Sequence, residues 1–113
     1  MEFWHNPRCR KSREALALLH DKGLEPTVRE YLKEPPTAAE LRTVIAALGL
    51  SSARDLMRTK EAEYKELGLK TVTDEDALIE AMAATPKLIE RPVLIHGGKA
   101  ALGRPPENVL EIV

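Results

Sequence analysis

The sequence predicts an α/β fold, a mixed sheet laid down in βαβ and then ββα order with an all-helical insertion at about residues 37–84. Three observations carry this. Short sheet-prone runs open and close the chain, whereas the middle shows helical periodicity and helix caps throughout. Strand, helix and strand follow one another within the first 32 or so residues, as in a parallel βαβ unit with a right-handed crossover. Near the end, Gly97-Gly98 separates two short runs and marks a hairpin turn.

Met1 to His5 holds two aromatics and stops at Asn6-Pro7, which reads as a strand and a turn. Cys9 to about Lys22 is helical, with Ala15, Leu16, Leu18 and Leu19 on one face and Gly23 as its stop. Thr27 to Leu32 is the second strand and closes at Pro35-Pro36. Thr37 and Glu40 form a capping box, each side chain serving the other's free backbone N–H. Leu41, Val44, Ile45 and Leu48 follow at helical spacing up to Gly49. Ser52 to Asp55 opens a short helix through Leu56 and Met57, and another covers Glu61 to Leu67 before Gly68. Thr73 is the expected cap of a further helix with Leu78, Ile79 and Met82 inward. Sheet then returns: Leu88-Ile89 and Val93-Leu94-Ile95 flank Arg91-Pro92, and Lys99 to Leu102 is the strand after the turn. Pro105 suits the first turn of a last helix over Glu107 to Val113.

The totals bound the function classes. A chain of 113 residues fits one compact domain, and 43% hydrophobic residues supply a modest core. Seventeen basic and 18 acidic residues leave a net charge of −1, so nothing global favours a nucleic-acid partner. One cysteine excludes a disulfide-stapled scaffold and fits a reducing compartment. The N-terminus lacks the basic-then-apolar pattern of a signal peptide, and no apolar run approaches the ~20 residues of a membrane helix. A cytoplasmic protein with no membrane association is the expectation.

The chemistry centres on that cysteine. Cys9 falls at the first turn of a helix, where free N–H groups concentrate positive charge and favour a thiolate. Such positions bring a thiol from about 8.5 to roughly 3.5–7.5. His5, Arg8, Arg10 and Lys11 would add to the effect if close in space. Ser12 stands one helical turn on, where its hydroxyl could bond the thiolate. Because Ser12 is not a second cysteine, any disulfide made by Cys9 joins another molecule. The residue six after Cys9 is Ala15, which argues against a Cys-x5-Arg phosphate loop. Arg58, Arg91 and Arg104 sit at element boundaries; guanidinium groups suit oxyanions, although single arginines are most often surface residues. His20 and His96 read as solvated or structural, and three scattered histidines with one cysteine show no metal-site spacing. Phe3 and Trp4 are core residues in this reading.

The run His5-Asn6-Pro7-x-Cys9-x-x-Ser12-Arg13 closely resembles the N-terminal motif of the glutaredoxin-coupled arsenate reductases. The likeness continues through Glu25-Pro26-Thr27, Tyr31-Leu32, Pro35-Pro36-Thr37, Leu56-Met57-Arg58, Tyr64 to Leu69, Leu88 to Pro92 and Gly103-Arg104-Pro105. It implies a single thioredoxin-like domain over residues 1–113 with a helical insertion. It implies Cys9 as nucleophile, His5 assisting thiolate formation, Ser12 as the motif serine, and Arg58, Arg91 and Arg104 holding the arsenic oxyanion. Pro92 would be the cis proline facing the active site. The implied partners are arsenate, glutathione as reducing co-substrate, and glutaredoxin, acting on a monomer without a metal or tightly bound cofactor. Two other readings stay open: a general glutathione-dependent thiol oxidoreductase, which would use Cys9 without the three arginines, and a non-enzymatic regulator binding RNA polymerase, whose usual Cys-x-x-Cys switch is missing here.

Overall fold

The computed structural model describes residues 1–113. The chain forms two compact units, one from Met1–Glu34 with Arg91–Val113 and the other from Pro35–Glu90.

The first unit is built on a four-stranded sheet. Its strands are β1 (Glu2–His5), β2 (Thr27–Glu30), β3 (Val93–His96) and β4 (Lys99–Leu102), and α1 (Arg10–Asp21) connects the first two. The order is β2-β1-β3-β4, with β1 and β2 parallel and the other pairs antiparallel. Phe3 lies between Val28 and Leu94 in register, and strand alternation sends its ring toward α1. There Phe3, Ala15, Leu19, Leu94 and Val109 make a core from which water is excluded. His5, two residues on, shares that face, its ring centroid 5.5 Å from that of Phe3. Trp4 is also buried, and its indole N–H donates to Glu2 Oε1 at 2.7 Å. Gly97 and Gly98, with φ of 58° and 78°, turn the chain between β3 and β4, a conformation that side chains resist.

Two expectations shift here. The second strand stops at Glu30 instead of Leu32, because a turn closes at once: the N–H groups of Lys33 and Glu34 both donate to Glu30 O at 2.9 Å. The last helix is a 3-10 helix over Pro106–Ile112, with Pro106 in the first turn and Pro105 extended before it. A proline at the first helical position sacrifices an N–H that has no helical partner anyway.

The second unit is helical. It contains α2 (Ala38–Leu48), α3 (Ala62–Glu66), α4 (Glu75–Ala84) and 3-10 helices at Ala53–Leu56, Leu69–Thr71 and Pro86–Leu88. The capping box forms as expected: Glu40 N–H donates to Thr37 Oγ1 at 3.1 Å, and Thr37 N–H to Glu40 Oε1 at 2.9 Å. Ser52 likewise accepts from Arg54 N–H at 3.1 Å. Thr73 does not cap α4; Asp74 does, its carboxylate accepting from Asp76 N–H at 3.1 Å. Asp is as good an N-cap as Ser or Thr and a better neighbour for a helix N-terminus. Leu78, Ile79 and Met82 point inward as read. Leu88-Ile89 leaves the sheet: Leu88 ends a 3-10 helix and Ile89 makes an isolated bridge with Met57. Arg54 ties this unit together, its guanidinium donating to Leu69 O at 2.9 Å and also reaching Tyr64 Oη and Val72 O.

Candidate active site

The site begins where β1 ends. After His5 the chain turns through Asn6-Pro7-Arg8, closed by Cys9 N–H donating to Asn6 O at 2.9 Å. The Asn6 side chain holds the turn from inside, accepting from Arg8 N–H at 3.0 Å. Cys9 is therefore delivered in an extended conformation (φ −93°, ψ 121°) as the N-cap of α1. Its carbonyl already takes the first helical hydrogen bond, from Arg13 N–H at 3.0 Å.

This placement sets the acidity of the thiol. Partial burial is the largest single influence and raises the pKa, because a thiolate loses hydration there. It is outweighed by the Ser12 backbone N–H, the charge and side-chain N–H of Arg91, and the Lys11 backbone N–H, so the Cys9 pKa lies below its ordinary value. The sulfur is not a conventional hydrogen-bonded helix cap. The N–H groups act through the partial positive charge of the open first turn. The cation beside the thiol is Arg91, from the far end of the chain. Arg8, Arg10 and Lys11, its neighbours in sequence, project into solvent. Arg10 pairs instead with Glu14 at 2.9 Å.

His5 and Ser12 are joined to each other. Ser12 is fully buried, and its Oγ lies 2.6 Å from His5 Nδ1 and accepts from Asn6 N–H at 3.0 Å. The hydroxyl anticipated on the thiolate is thus spent on the histidine and the turn, and Ser12 serves the sulfur through its backbone. Burial is the main cause that lowers the His5 pKa; Glu30 raises it and Arg13 lowers it further. At neutral pH His5 is an uncharged imidazole, so it adds no positive charge to the thiol. Its Nδ1 binds the buried hydroxyl that accepts from Asn6 N–H in the turn ahead of Cys9.

Arg91 and Arg104 belong to the same unit as Cys9. Arg104 donates to Arg91 O at 3.4 Å, which places the two arginines side by side at the ends of neighbouring β3 and β4. Both precede cis prolines, at Arg91-Pro92 and Arg104-Pro105. Gly103 N–H donates to Pro92 O at 2.9 Å, and a Cβ at Gly103 would stand 2.6 Å from Pro92 Cγ and 3.3 Å from the Ala15 side chain. Arg58 lies in the helical unit, where its guanidinium meets Glu61 Oε1 at 2.6 Å and its backbone N–H donates to Leu88 O at 2.8 Å. Glu61 also faces Lys87 Nζ at 3.7 Å. The sequence names Glu61 only as a helix start and Gly103 only within the Gly103-Arg104-Pro105 run, without a role for either at the site. The i,i+3 pairing of opposite charge with Arg58 could have signalled the first; the second depends on a contact across the sheet.

A β2-β1-β3-β4 sheet that carries its one cysteine at the head of the first helix is a thioredoxin-like architecture. Within that class the chain belongs to the ArsC family, whose model matches residues 4–112. Uncharacterized protein YfgD of Escherichia coli K12 is 55% identical over 114 residues, covering 100% of this chain and 96% of that protein. An arsenate reductase of Neisseria meningitidis serogroup A is 50% identical over 110 residues, covering 96% of this chain and 94% of its own length. The structure of an arsenate reductase from Vibrio cholerae superposes with a TM-score of 0.96 at 50% identity, covering 100% of this chain and 98% of that one.

Proposed function

We propose that this protein reduces arsenate to arsenite, with Cys9 as nucleophile and glutathione and glutaredoxin as external thiols. The observation that carries the reading is the Cys9 thiol at the open end of α1 beside Arg91, with its pKa held down. A thiolate next to a guanidinium is suited to attack an oxyanion, since the cation both stabilises the nucleophile and draws in the substrate.

The thiolate attacks arsenic(V), and one arsenic-bound oxygen leaves as water after protonation, with no change of oxidation state. Glutathione displaces a second oxygen in the same way. Glutaredoxin's thiolate then attacks the glutathione sulfur; an S–S bond forms, the As–S bond breaks, and its electron pair reduces arsenic to the trivalent state. Water finally releases Cys9, and arsenite departs. Arg91 and Arg104 hold the arsenic oxygens in this reading, and the resemblance assigns Arg58 to the same task. His5 and Ser12 keep the turn before Cys9 in place. No step calls for a metal or a tightly bound organic cofactor, and the protein acts as a cytoplasmic monomer. No helix of the chain is long and apolar enough to cross a membrane.

The test is arsenite production from arsenate with glutathione and several glutaredoxins, run beside Cys9→Ser. Turnover abolished by the substitution is expected; no turnover by the intact chain with any glutaredoxin overturns the reading. Arg104→Ala separates this function from general thiol exchange. The Cys9 pKa is held down by Arg91 and the Ser12 and Lys11 N–H groups, whereas Arg104 is assigned to the arsenic oxygens. Its loss should therefore impair arsenate reduction and spare exchange with a glutathionylated peptide.

A further inference from the structure

The C-terminal ends of the parallel strands β1 and β2 leave a cleft of about 240 Å³, walled by His5 to Arg8 on one side and by Glu30, Leu32 and Lys33 on the other. Crevices at the carboxyl ends of strands are where open α/β sheets take ligands. This one shares its wall with the turn that delivers Cys9, yet the mechanism above makes no use of Glu30, Leu32, Lys33 or the Arg8 side chain.

The charges around the cleft define what it would hold. Arg8 is exposed, and it is the backbone N–H of this residue, not its guanidinium, that Asn6 secures. Lys33 Nζ stands 3.6 Å from Glu30 Oε1, with both side chains well exposed, a loose pair of little worth that a ligand readily opens. Two cations and one carboxylate match a molecule with two carboxylates and one ammonium. An α-amino-acid head can satisfy Lys33 and Glu30 together, and a second carboxylate can take the fork of Arg8. Leu32, 44% exposed, offers an apolar rim for the methylenes between. The cleft falls just under the ~300–1,000 Å³ of pockets that enclose drug-sized ligands, so it suits a short, partly exposed peptide. The His5–Arg8 wall of the cleft is the turn that leads into Cys9, the N-cap of α1.

We propose that this cleft seats the small thiol co-substrate, a thiol peptide with one amino-acid head and a second free carboxylate. The inference rests on the proposed use of an external thiol, and glutathione has this chemistry.

The test uses S-methylglutathione, which cannot react, titrated into the intact protein and followed by amide NMR shifts and calorimetry without arsenate. Saturable shifts centred on residues 5–8 and 30–33 are expected. Arg8→Glu and Lys33→Glu should each weaken binding about tenfold. The double exchange Glu30→Lys with Lys33→Glu restores an ion pair but inverts the charges. It should still bind weakly, whereas recovery of binding would reduce the pair to a structural role and overturn the proposal. If glutathione supports arsenate turnover while its S-methyl form shows no binding here, the cleft assignment falls and the arsenate reading stands. Binding as described without arsenate turnover leaves the cleft assignment and removes the arsenate reading.

Discussion

At the scale of single residues, the reactivity of Cys9 is decided by a contest between burial and three positive groups, two backbone N–H groups and one guanidinium. Burial alone would raise the pKa; the Ser12 N–H, Arg91 and the Lys11 N–H reverse it. Arg91→Ala should therefore raise the Cys9 pKa, and the thiolate fraction at pH 7 should fall. The rate of alkylation by iodoacetamide, a neutral reagent, measured against pH checks this: the midpoint should move upward, and an unchanged profile would mean the helix start suffices. His5 gives a prediction of its own. Its folded pKa lies below the unfolded value of about 6.5, so the unfolded chain takes up the proton first as pH falls. The contribution of His5 to stability is complete above that unfolded value and is lost as pH drops through the folded pKa. Urea unfolding between pH 7.5 and 4.5 should show this loss, and His5→Asn should flatten part of it. Cys9, Ser12 and His5 were legible in the sequence as residues because they fall within eight positions. Their bonding was not: a hydroxyl one turn from a thiol points to the thiol on paper, but the buried imidazole two strand positions beyond Phe3 captures it.

At the scale of elements, local signals proved reliable where a side chain talks to its own backbone. The Thr37–Glu40 box, the Ser52 cap and the Gly97-Gly98 turn all form where the sequence places them. Thr73 failed because two good caps stand in succession and the carboxylate of Asp74 won. Contacts between elements carried no such signal. The juncture of Gly103, Pro92 and Ala15 joins the end of β4, the approach to β3 and the inner face of α1, and nothing local announces it. Only a glycine fits there, since an added Cβ would overlap the Pro92 ring. Gly103→Ala should cost about 1–3 kcal/mol, the usual range for overpacking a filled interior. Denaturant melts measure that loss. Because Pro92 follows Arg91, the same substitution should also disturb the pH profile of Cys9. A stability loss with an unchanged thiol profile would show that the juncture supports the sheet without positioning Arg91.

At the scale of the whole molecule, the switch in periodicity predicts one domain with a helical insertion at about 37–84, the structure divides into a sheet unit and a helical unit, and the net charge of −1 gives no global reason to expect a nucleic-acid partner. That total hides a strong asymmetry. Residues 8–13 carry Arg8, Arg10, Lys11 and Arg13 with no acidic residue among them, and Arg91 joins them from β3's approach. Arg10 is partly offset by Glu14, but the rest place a local positive field around a nucleophile on a nearly neutral chain. Such a field raises the encounter rate of anions and leaves neutral reagents unaffected. Salt should weaken it, since the screening length shrinks from about 30 Å at 0.01 M to about 8 Å at 0.15 M. The reaction of Cys9 with an anionic aromatic disulfide should therefore slow severalfold over that range, while alkylation by iodoacetamide changes little. Stopped-flow rates for both reagents, at a pH where the thiol is fully ionised, separate steering from acidity. Arg8→Gln and Lys11→Gln should each flatten the salt dependence for the disulfide without moving the iodoacetamide profile. Equal salt responses for the two reagents would mean that the exposed cations are simply solvated and that the pull on an oxyanion comes from Arg91 alone.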